Sequence, residues 1–176
     1  MRIVSGKYRG KRVFPPKKFP SRPTTDYAKE ALFNILENKI DWEECNVLDL
    51  FAGTGNISAE FLSRGAKKVL SIDKNPICIK HLHSVKKELN DENWFIQRNE
   101  VNHFVLKCEE QFEVIFADPP FGIKGLAELI DRIFEEGVLT ADGMLILEHG
   151  KENSFEDHPK FSSERDYGGV QFSFFE

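Results

Sequence analysis

Five short apolar runs, each separated from the next by a stretch of helical spacing, restrict this chain of 176 residues to few folds. Residues 47–51 precede a helical pattern at 56–64, and residues 68–72 precede one that runs from Pro76 to Leu89. Pro76 suits the first turn of that helix, and Cys78, Leu82, Val85 and Leu89 make its apolar stripe. Trp94-Phe95-Ile96-Gln97 leads to a short helix near 100–107. Residues 112–117 lead to the face Leu126, Leu129, Ile130, Ile133 and Phe134, which stops at Gly137. A fifth run, Met144 to Leu147, follows Gly143. Strands that are apolar throughout must be covered on both faces, and the intervening helices supply the cover, so the expected core is a parallel sheet. The tail breaks the pattern. Residues 161–167, Gly168-Gly169 and the alternating Val170 to Phe174 predict an antiparallel hairpin. The predicted fold class is α/β: a doubly wound, mostly parallel sheet that closes with a C-terminal antiparallel hairpin, within the length of one domain.

Open sheets of this kind bind ligands beyond the C-terminal ends of their strands. Asp49, Gly53, Gly55, Asp73, Asn99 and Asp118 all fall at that edge. The first strand runs from Val47 through Asp49 and Phe51 straight into Gly53-Thr54-Gly55, with a helix opening at about Asn56. Glycines there allow backbone to approach a ligand at a helix N-terminus. The dinucleotide fingerprint would place a third glycine at position 58, which is Ser58. Asp49 would repel a pyrophosphate but pairs well with an ammonium group. Asp73 ends the second strand twenty residues after Gly53, the usual distance for an acid that binds ribose hydroxyls. An ammonium, a ribose and no phosphate describe S-adenosylmethionine better than a nicotinamide cofactor. Asn99, after the third strand, is an acceptor for an adenine amine or simply the start of an Asx turn.

The fourth strand ends in Asp118-Pro119-Pro120-Phe121. Each proline removes a backbone donor and fixes φ, and the residue before it is forced to extended geometry. The expected result is a rigid lip whose acceptors are the Asp118 carboxylate and the Pro119 carbonyl, with the flat face of Phe121 beside them. Such a lip suits an exocyclic –NH₂ on a planar base, which donates two hydrogen bonds while its ring stacks. Taken alone, the four residues fit a tight turn equally well; the acids and glycines upstream favour the amine-reading lip.

Charge is unevenly distributed. The chain carries −5 overall, yet residues 1–25 hold Arg2, Lys7, Arg9, Lys11, Arg12, Lys17, Lys18 and Arg22 and no acid. That segment is therefore +8 and the remainder −13, the asymmetry of a nucleic-acid reader. Tyr8, Phe14 and Phe19 lie among the basic residues, where bases can stack. Residues 2–5 and 11–14 predict short strands in a hairpin, prolines 15, 16, 20 and 23 keep the following chain extended, and Thr25 caps a helix through Ala28, Leu32 and Leu36. The division expected is a basic arm over 1–25, contacting nucleic acid through Arg2, Lys7, Arg9, Lys11, Arg12 and Arg22, and a second unit over 26–176 that holds the sheet; the resemblance given below makes these an RNA-binding arm and a methyltransferase domain. Cys45, Cys78 and Cys108 show neither disulfide nor zinc spacing, and no residue cluster suggests a metal. With no apolar run long enough to cross a membrane, no signal-peptide pattern and scattered cysteines that fit a reducing cytosol, the expectation is a cytoplasmic protein; it is also expected to be a monomer, which no residue pattern dictates.

Taken together, these motifs resemble the RsmD group of 16S ribosomal RNA guanine-N2 methyltransferases over nearly the whole chain. The resemblance rests on Arg2-Ile3-Val4-Ser5-Gly6 with Arg9-Gly10, on Arg22-Pro23-Thr24-Thr25-Asp26 and Glu30-Ala31-Leu32-Phe33-Asn34, and on Leu48 to Gly55, Ser63-Arg64-Gly65-Ala66 and Asp118 to Phe121. It implies the class I, Rossmann-like methyltransferase fold, S-adenosylmethionine as methyl donor and a guanine of small-subunit rRNA as target. Two departures stand out: Lys29 where arginine is usual, and Ile57-Ser58 where Leu-Gly is familiar. Ser58 is expected to loosen the packing of helix on loop. The roles that follow are Asp118, Pro119, Pro120 and Phe121 at the reacting amine, with Asp49, Phe51, Gly53, Gly55, Asp73 and Asn99 around the cofactor. Rival readings are a DNA or RNA adenine-N6 methyltransferase with the same lip, an NAD-dependent oxidoreductase, which Asp49 disfavours, and a non-catalytic RNA-binding module.

Overall fold

The computed structural model describes residues 2–16, 19 and 25–176. Its strands follow the apolar runs: β1 Asn46–Leu50, β2 Lys68–Asp73, β3 Trp94–Arg98, β4 Phe112–Ala117, β5 Leu139–His149, β6 Phe161–Asp166 and β7 Gln171–Phe175. The helices are α1 Asp26–Leu36, α2 Asn56–Arg64, α3 Pro76–Leu89, α4 Val101–Val105 and α5 Leu126–Glu135. All seven strands form one sheet in the order β3-β2-β1-β4-β5-β7-β6. The first five are parallel, and β7 runs antiparallel to both β5 and β6. Strand order reverses between β1 and β4, so the crevice at their C-terminal ends is the switch point where such sheets bind ligands.

Two buried apolar layers sandwich the sheet. Val47, Val69, Val114 and Ile146 face one layer with α2 and α3, while Leu48, Leu70, Ile115 and Leu145 face the other with α4 and α5. Alternate residues of each strand point to opposite faces, and both faces are covered, which is why the strands read as continuous apolar runs. Strand β5 begins five residues before the predicted Met144. Leu139 pairs with Phe112 and Met144 with Val114, and the register shift between them absorbs the extra residues. No described helix is long and apolar enough to cross a membrane.

The N-terminal segment departs from the predicted hairpin. Among the described residues its two limbs are joined by one antiparallel bridge, Arg2 with Arg12, and by the bonds from Ile3 N to Lys11 O at 3.0 Å and from Gly10 N to Ile3 O at 2.9 Å, with no named strand. Other backbone donors of the segment go to α2: Val4 N and Ser5 N donate to the Glu60 carboxylate at 2.9 and 3.0 Å, Lys7 N to Ser63 O at 2.7 Å, and Tyr8 N to Ser63 Oγ at 2.9 Å. Gly6 has φ +77°, and a Cβ there would lie 1.8 Å from the Ser63 carbonyl oxygen, so this close approach requires glycine. Ile3 and Val13 are buried in the same core layer as α1 and α2. The arm is thus seated on the body by its backbone and by Ile3 and Val13, while Arg2, Lys7, Arg9, Lys11 and Arg12 are exposed.

Beneath it lies a charged cluster that the sequence did not announce. Lys29 and Glu60 have fully buried side chains 3.2 Å apart. Lys29 Nζ also donates to the Arg2 carbonyl and to Asn56 Oδ1, the latter at 2.8 Å. Burial holds the Lys29 ammonium below its usual range although Glu60 pulls the other way. The signal available was positional: Lys29 sits on the stripe of Leu32, Phe33 and Leu36 that α1 turns inward.

Candidate active site

At the switch point the C-terminal ends of β1, β2, β4 and β5 deliver acidic side chains towards two cavities. The first, about 440 Å³, is lined by Asp49, Phe51, Gly53, Asp73 and Val101, and by Asp118 with the prolines that follow it. The second, about 570 Å³, opens against Glu148, His149, Gly169 and Val170. Asp118, Pro119, Pro120, Phe121 and Ile123 belong to both, so the proline lip is the wall the cavities share. Pro119 is buried while the Phe121 ring is 88% exposed, available to stack on an incoming plane. Strand β4 ends at Ala117 and α5 begins at Leu126; between them the prolines and the turn bond from Ile123 N to Pro120 O at 3.1 Å supply the stiffness.

The loop after β1 is tightly made. Phe51 has φ +62°, unusual for a side chain with a Cβ and the kind of backbone strain that persists where the surroundings fix it. Asp73 Oδ2 accepts from Gly53 N at 2.9 Å and Oδ1 from Asn75 N at 2.7 Å, so this acid pins the glycine turn as well as lining the cavity. Gly53 lines the cavity, but Gly55 does not; it is buried over Leu82 and Trp94, and a Cβ there would lie 2.5 Å from Leu82. Asn99 is also absent from the lining. Its Oδ1 accepts from Glu100 N at 2.9 Å, one residue on rather than the two of an Asx turn, and the wall here is made by Glu100 and Val101. Cys78, predicted as core, is buried and reaches the cavity wall; burial, with Asp73 nearby, pushes its thiol up to about 12, so it presents a neutral, apolar surface.

Three carboxyl groups dominate the electrostatics. Asp49 is 2% exposed, and burial, reinforced by Asp73 and Glu148, raises its pKa to about 7 against the opposing hydrogen bonds from Ser58. Asp118 is raised well above the ordinary carboxylate value, first by burial, then by Glu148 and Asp49. Neither Asp49 nor Asp118 has an ion pair with a cation among the described residues, and Lys74 is the only basic residue in the described lining of the smaller cavity. Like charges gathered out of water favour either protonation or a cationic ligand. The smaller cavity therefore fits a ligand with positive charge, hydroxyls that Asp73 can accept, and an apolar plane against Phe51, Ile57 and Val101. A pyrophosphate would meet carboxylates. Glu148, at the end of β5, went unnoticed in the sequence because, unlike Asp49 and Asp118, it leads into neither a Gly-x-Gly turn nor a pair of prolines. No group of three or more potential metal ligands occurs among the described residues.

Ser58 reverses an expectation. Far from loosening helix α2, it is fully buried and donates to Asp49 Oδ2. The arm residues also sort themselves. Lys7 pairs with Asp91 at 3.0 Å and Arg2 with Asp26 at 3.7 Å, whereas Arg9, Lys11 and Arg12 are exposed with no ion pair among the described residues. Arg22, Lys17 and Lys18 lie outside the described residues.

Comparison with known proteins gives a consistent picture. The family model described as Conserved hypothetical protein 95 matches residues 1–176. Ribosomal RNA small subunit methyltransferase D of Escherichia coli K12 is 30% identical over 159 residues, covering 90% of this chain and 79% of that protein. The solved structure of a hypothetical protein from Thermus thermophilus superimposes with a TM-score of 0.88 at 26% identity, over 100% of this chain and 99% of its own. At the level of fold alone, coclaurine N-methyltransferase, solved with N-methylheliamine and SAH, matches 74% of this chain and 38% of its own with a TM-score of 0.60 at 20% identity. The chain belongs to the Conserved hypothetical protein 95 family, that of ribosomal RNA small subunit methyltransferase D.

Proposed function

We propose that this protein transfers a methyl group from S-adenosylmethionine to the exocyclic N2 amine of a guanine in small-subunit ribosomal RNA. The observation that carries the reading is the shared wall: one rigid lip bearing Asp118 borders both the cavity suited to a cationic nucleoside and a second one, open beside Phe121. The family relationship supports ribosomal RNA as the substrate.

Bound in the smaller cavity, S-adenosylmethionine supplies a methyl group already activated by its sulfonium. Asp49 is assigned to its ammonium group, Asp73 to its ribose hydroxyls, Gly53 to close backbone approach, and Phe51 and Val101 to the faces of its adenine. The protein's remaining task is to position and to handle charge. Guanine's amine is a weak nucleophile because its lone pair is delocalised into the ring. Asp118 and the Pro119 carbonyl accept its two protons, which draws nitrogen towards tetrahedral geometry and aims the lone pair across the lip. As positive charge develops on that nitrogen, the same acceptors bind it more strongly than in the ground state. Asp118 takes the released proton, and its raised proton affinity suits that step. Phe121 stacks on the target base. Arg9, Lys11 and Arg12 hold RNA phosphates along the arm.

The test offers the purified protein a labelled methyl donor with small-subunit rRNA, assembled small subunits or DNA, followed by nucleoside analysis. N2-methylguanosine in the ribosomal substrates is expected. Methyladenosine would transfer the protein to the adenine-N6 class, and RNA binding without label would make it a non-catalytic module.

A further inference from the structure

Beneath the glycine turn runs a line of buried polar groups that the chemistry above does not use. Trp94, on β3 and fully buried, donates from Nε1 to Ser71 Oγ at 2.7 Å. Ser71 Oγ lies 2.6 Å from Ser58 Oγ, and Ser58 Oγ bonds Asp49 Oδ2. Ser58 and Ser71 are fully buried as well. The direction of this line is fixed by what each group can do. An indole N–H only donates, so Ser71 accepts from Trp94. Each hydroxyl has a single proton; Ser58 places its proton on Asp49, and Ser71 therefore donates to Ser58. The Ser58 backbone N–H also bonds the Asp49 carboxyl. All the protons of the line thus point towards Asp49.

The same indole braces the loop above. A Cβ on Gly55 would lie 3.1 Å from Trp94 Cζ2 and Cη2, so the ring fills the space beneath the turn. One side chain sets both the glycine turn and the far end of the line that reaches Asp49.

We infer that Ser58, backed by Ser71 and Trp94, is a positioning residue that holds the Asp49 carboxylate oriented as an acceptor for the ammonium group of the cofactor. This rests on the assignment of Asp49 given above. The charged groups facing Asp49 are Asp73 on β2, Asp118 after β4 and Glu148 on β5, all acids. Ser58 is the group that opposes them, and burial already lifts Asp49 to about 7. Removing the hydroxyl leaves the carboxyl to the acids and to burial.

The experiment compares two probes by calorimetry from about pH 6 to about pH 9. S-adenosylhomocysteine carries the ammonium; methylthioadenosine has the same nucleoside and thioether without it. In Ser58→Ala, binding of S-adenosylhomocysteine at neutral pH is expected to weaken about tenfold, as for loss of a hydrogen bond to a charged group. The pH at which affinity rises should move upward, and methylthioadenosine should bind as before. Ser71→Ala, which leaves Ser58 in place, should show a smaller loss in the same sense and supplies the test should Ser58→Ala fold poorly. In the ligand-free protein, the Asp49 carboxyl titration followed by NMR should shift upward in both variants. Equal weakening of both probes, or none of either, overturns the inference. A wild-type protein that does not favour S-adenosylhomocysteine over methylthioadenosine instead removes the assignment of Asp49 on which it stands.

Discussion

Two buried clusters of charge lie within one helix of each other and are built on opposite principles. Under the arm, Lys29 and Glu60 are matched: the ammonium meets a carboxylate at 3.2 Å, and that carboxylate also accepts from Val4 N, Ser5 N and Arg64 Nε. At the sheet edge, burial and Glu148 raise the proton affinity of both Asp49 and Asp118, and Asp49 adds to the effect on Asp118. The first cluster completes itself from the chain and fixes the arm to α2. In the second, neither Asp49 nor Asp118 has an ion pair with a cation among the described residues, and protonation or a cationic ligand relieves the crowding. Under the proposed function, stability resides under the arm and chemistry at the edge; Asn56 touches both, bonding Lys29 while lining the smaller cavity.

The contrast breaks most visibly under mutation. Lys29→Met leaves Glu60 buried without its main counter-charge and should destabilise the fold by about 3–5 kcal/mol in denaturant titration. Asp118→Asn, which removes one of the crowded acids, should leave stability intact or raised. A loss below about 1 kcal/mol for Lys29→Met would show that the arm cluster is not structural. On activity the order inverts: Asp118→Ala should lower turnover by about 10² or more while cofactor affinity stays nearly unchanged. Equal loss of both would make Asp118 a structural residue.

Smaller effects sharpen the picture. Replacing Arg9, Lys11 and Arg12 together by alanine should reduce the slope of log RNA affinity against log salt by about 2 to 3, with cofactor binding unaffected. An unchanged slope would remove these side chains from the RNA interface. Stability against pH offers the subtlest check. The folded chain holds the Asp49 proton up to about 7, above the ordinary 3.8, so the stabilisation from this group is complete below about 4 and is lost as pH rises through about 7. Asp49→Asn should flatten that decline in the ligand-free protein; an unaltered profile would mean that Asp49 is not the group responsible.

The sheet edge was largely legible in the sequence because apolar runs set the strands and acids or glycines mark their ends. Asp49, Gly53, Asp73 and Asp118 reach the smaller cavity for that reason, through a parallel register that aligns Leu50 with Ile72 and Ala117. What sequence could not supply were contacts between elements far apart in the chain. Glu60 receives Val4 from 56 residues away, and Trp94 reaches Ser71 across neighbouring strands. Ser58 read as a departure from a glycine pattern; only the neighbouring strands turn its hydroxyl into a support for Asp49. Asn99 shows the same limit from the other side: a side chain at a strand end can accept from the next backbone amide, a local bond that spacing alone does not reveal.

The lip between the two cavities is tested most directly by a crystal structure with a bisubstrate analogue that tethers guanosine N2 to the sulfur-side position of an S-adenosylmethionine skeleton. The expected result has the nucleoside of the cofactor half beside Asp73 and the guanine stacked on Phe121. Its N2 should lie within about 3 Å of both the Asp118 carboxyl and the Pro119 carbonyl. A guanine amine held elsewhere, with residues 118–121 remote from the tether, would contradict it.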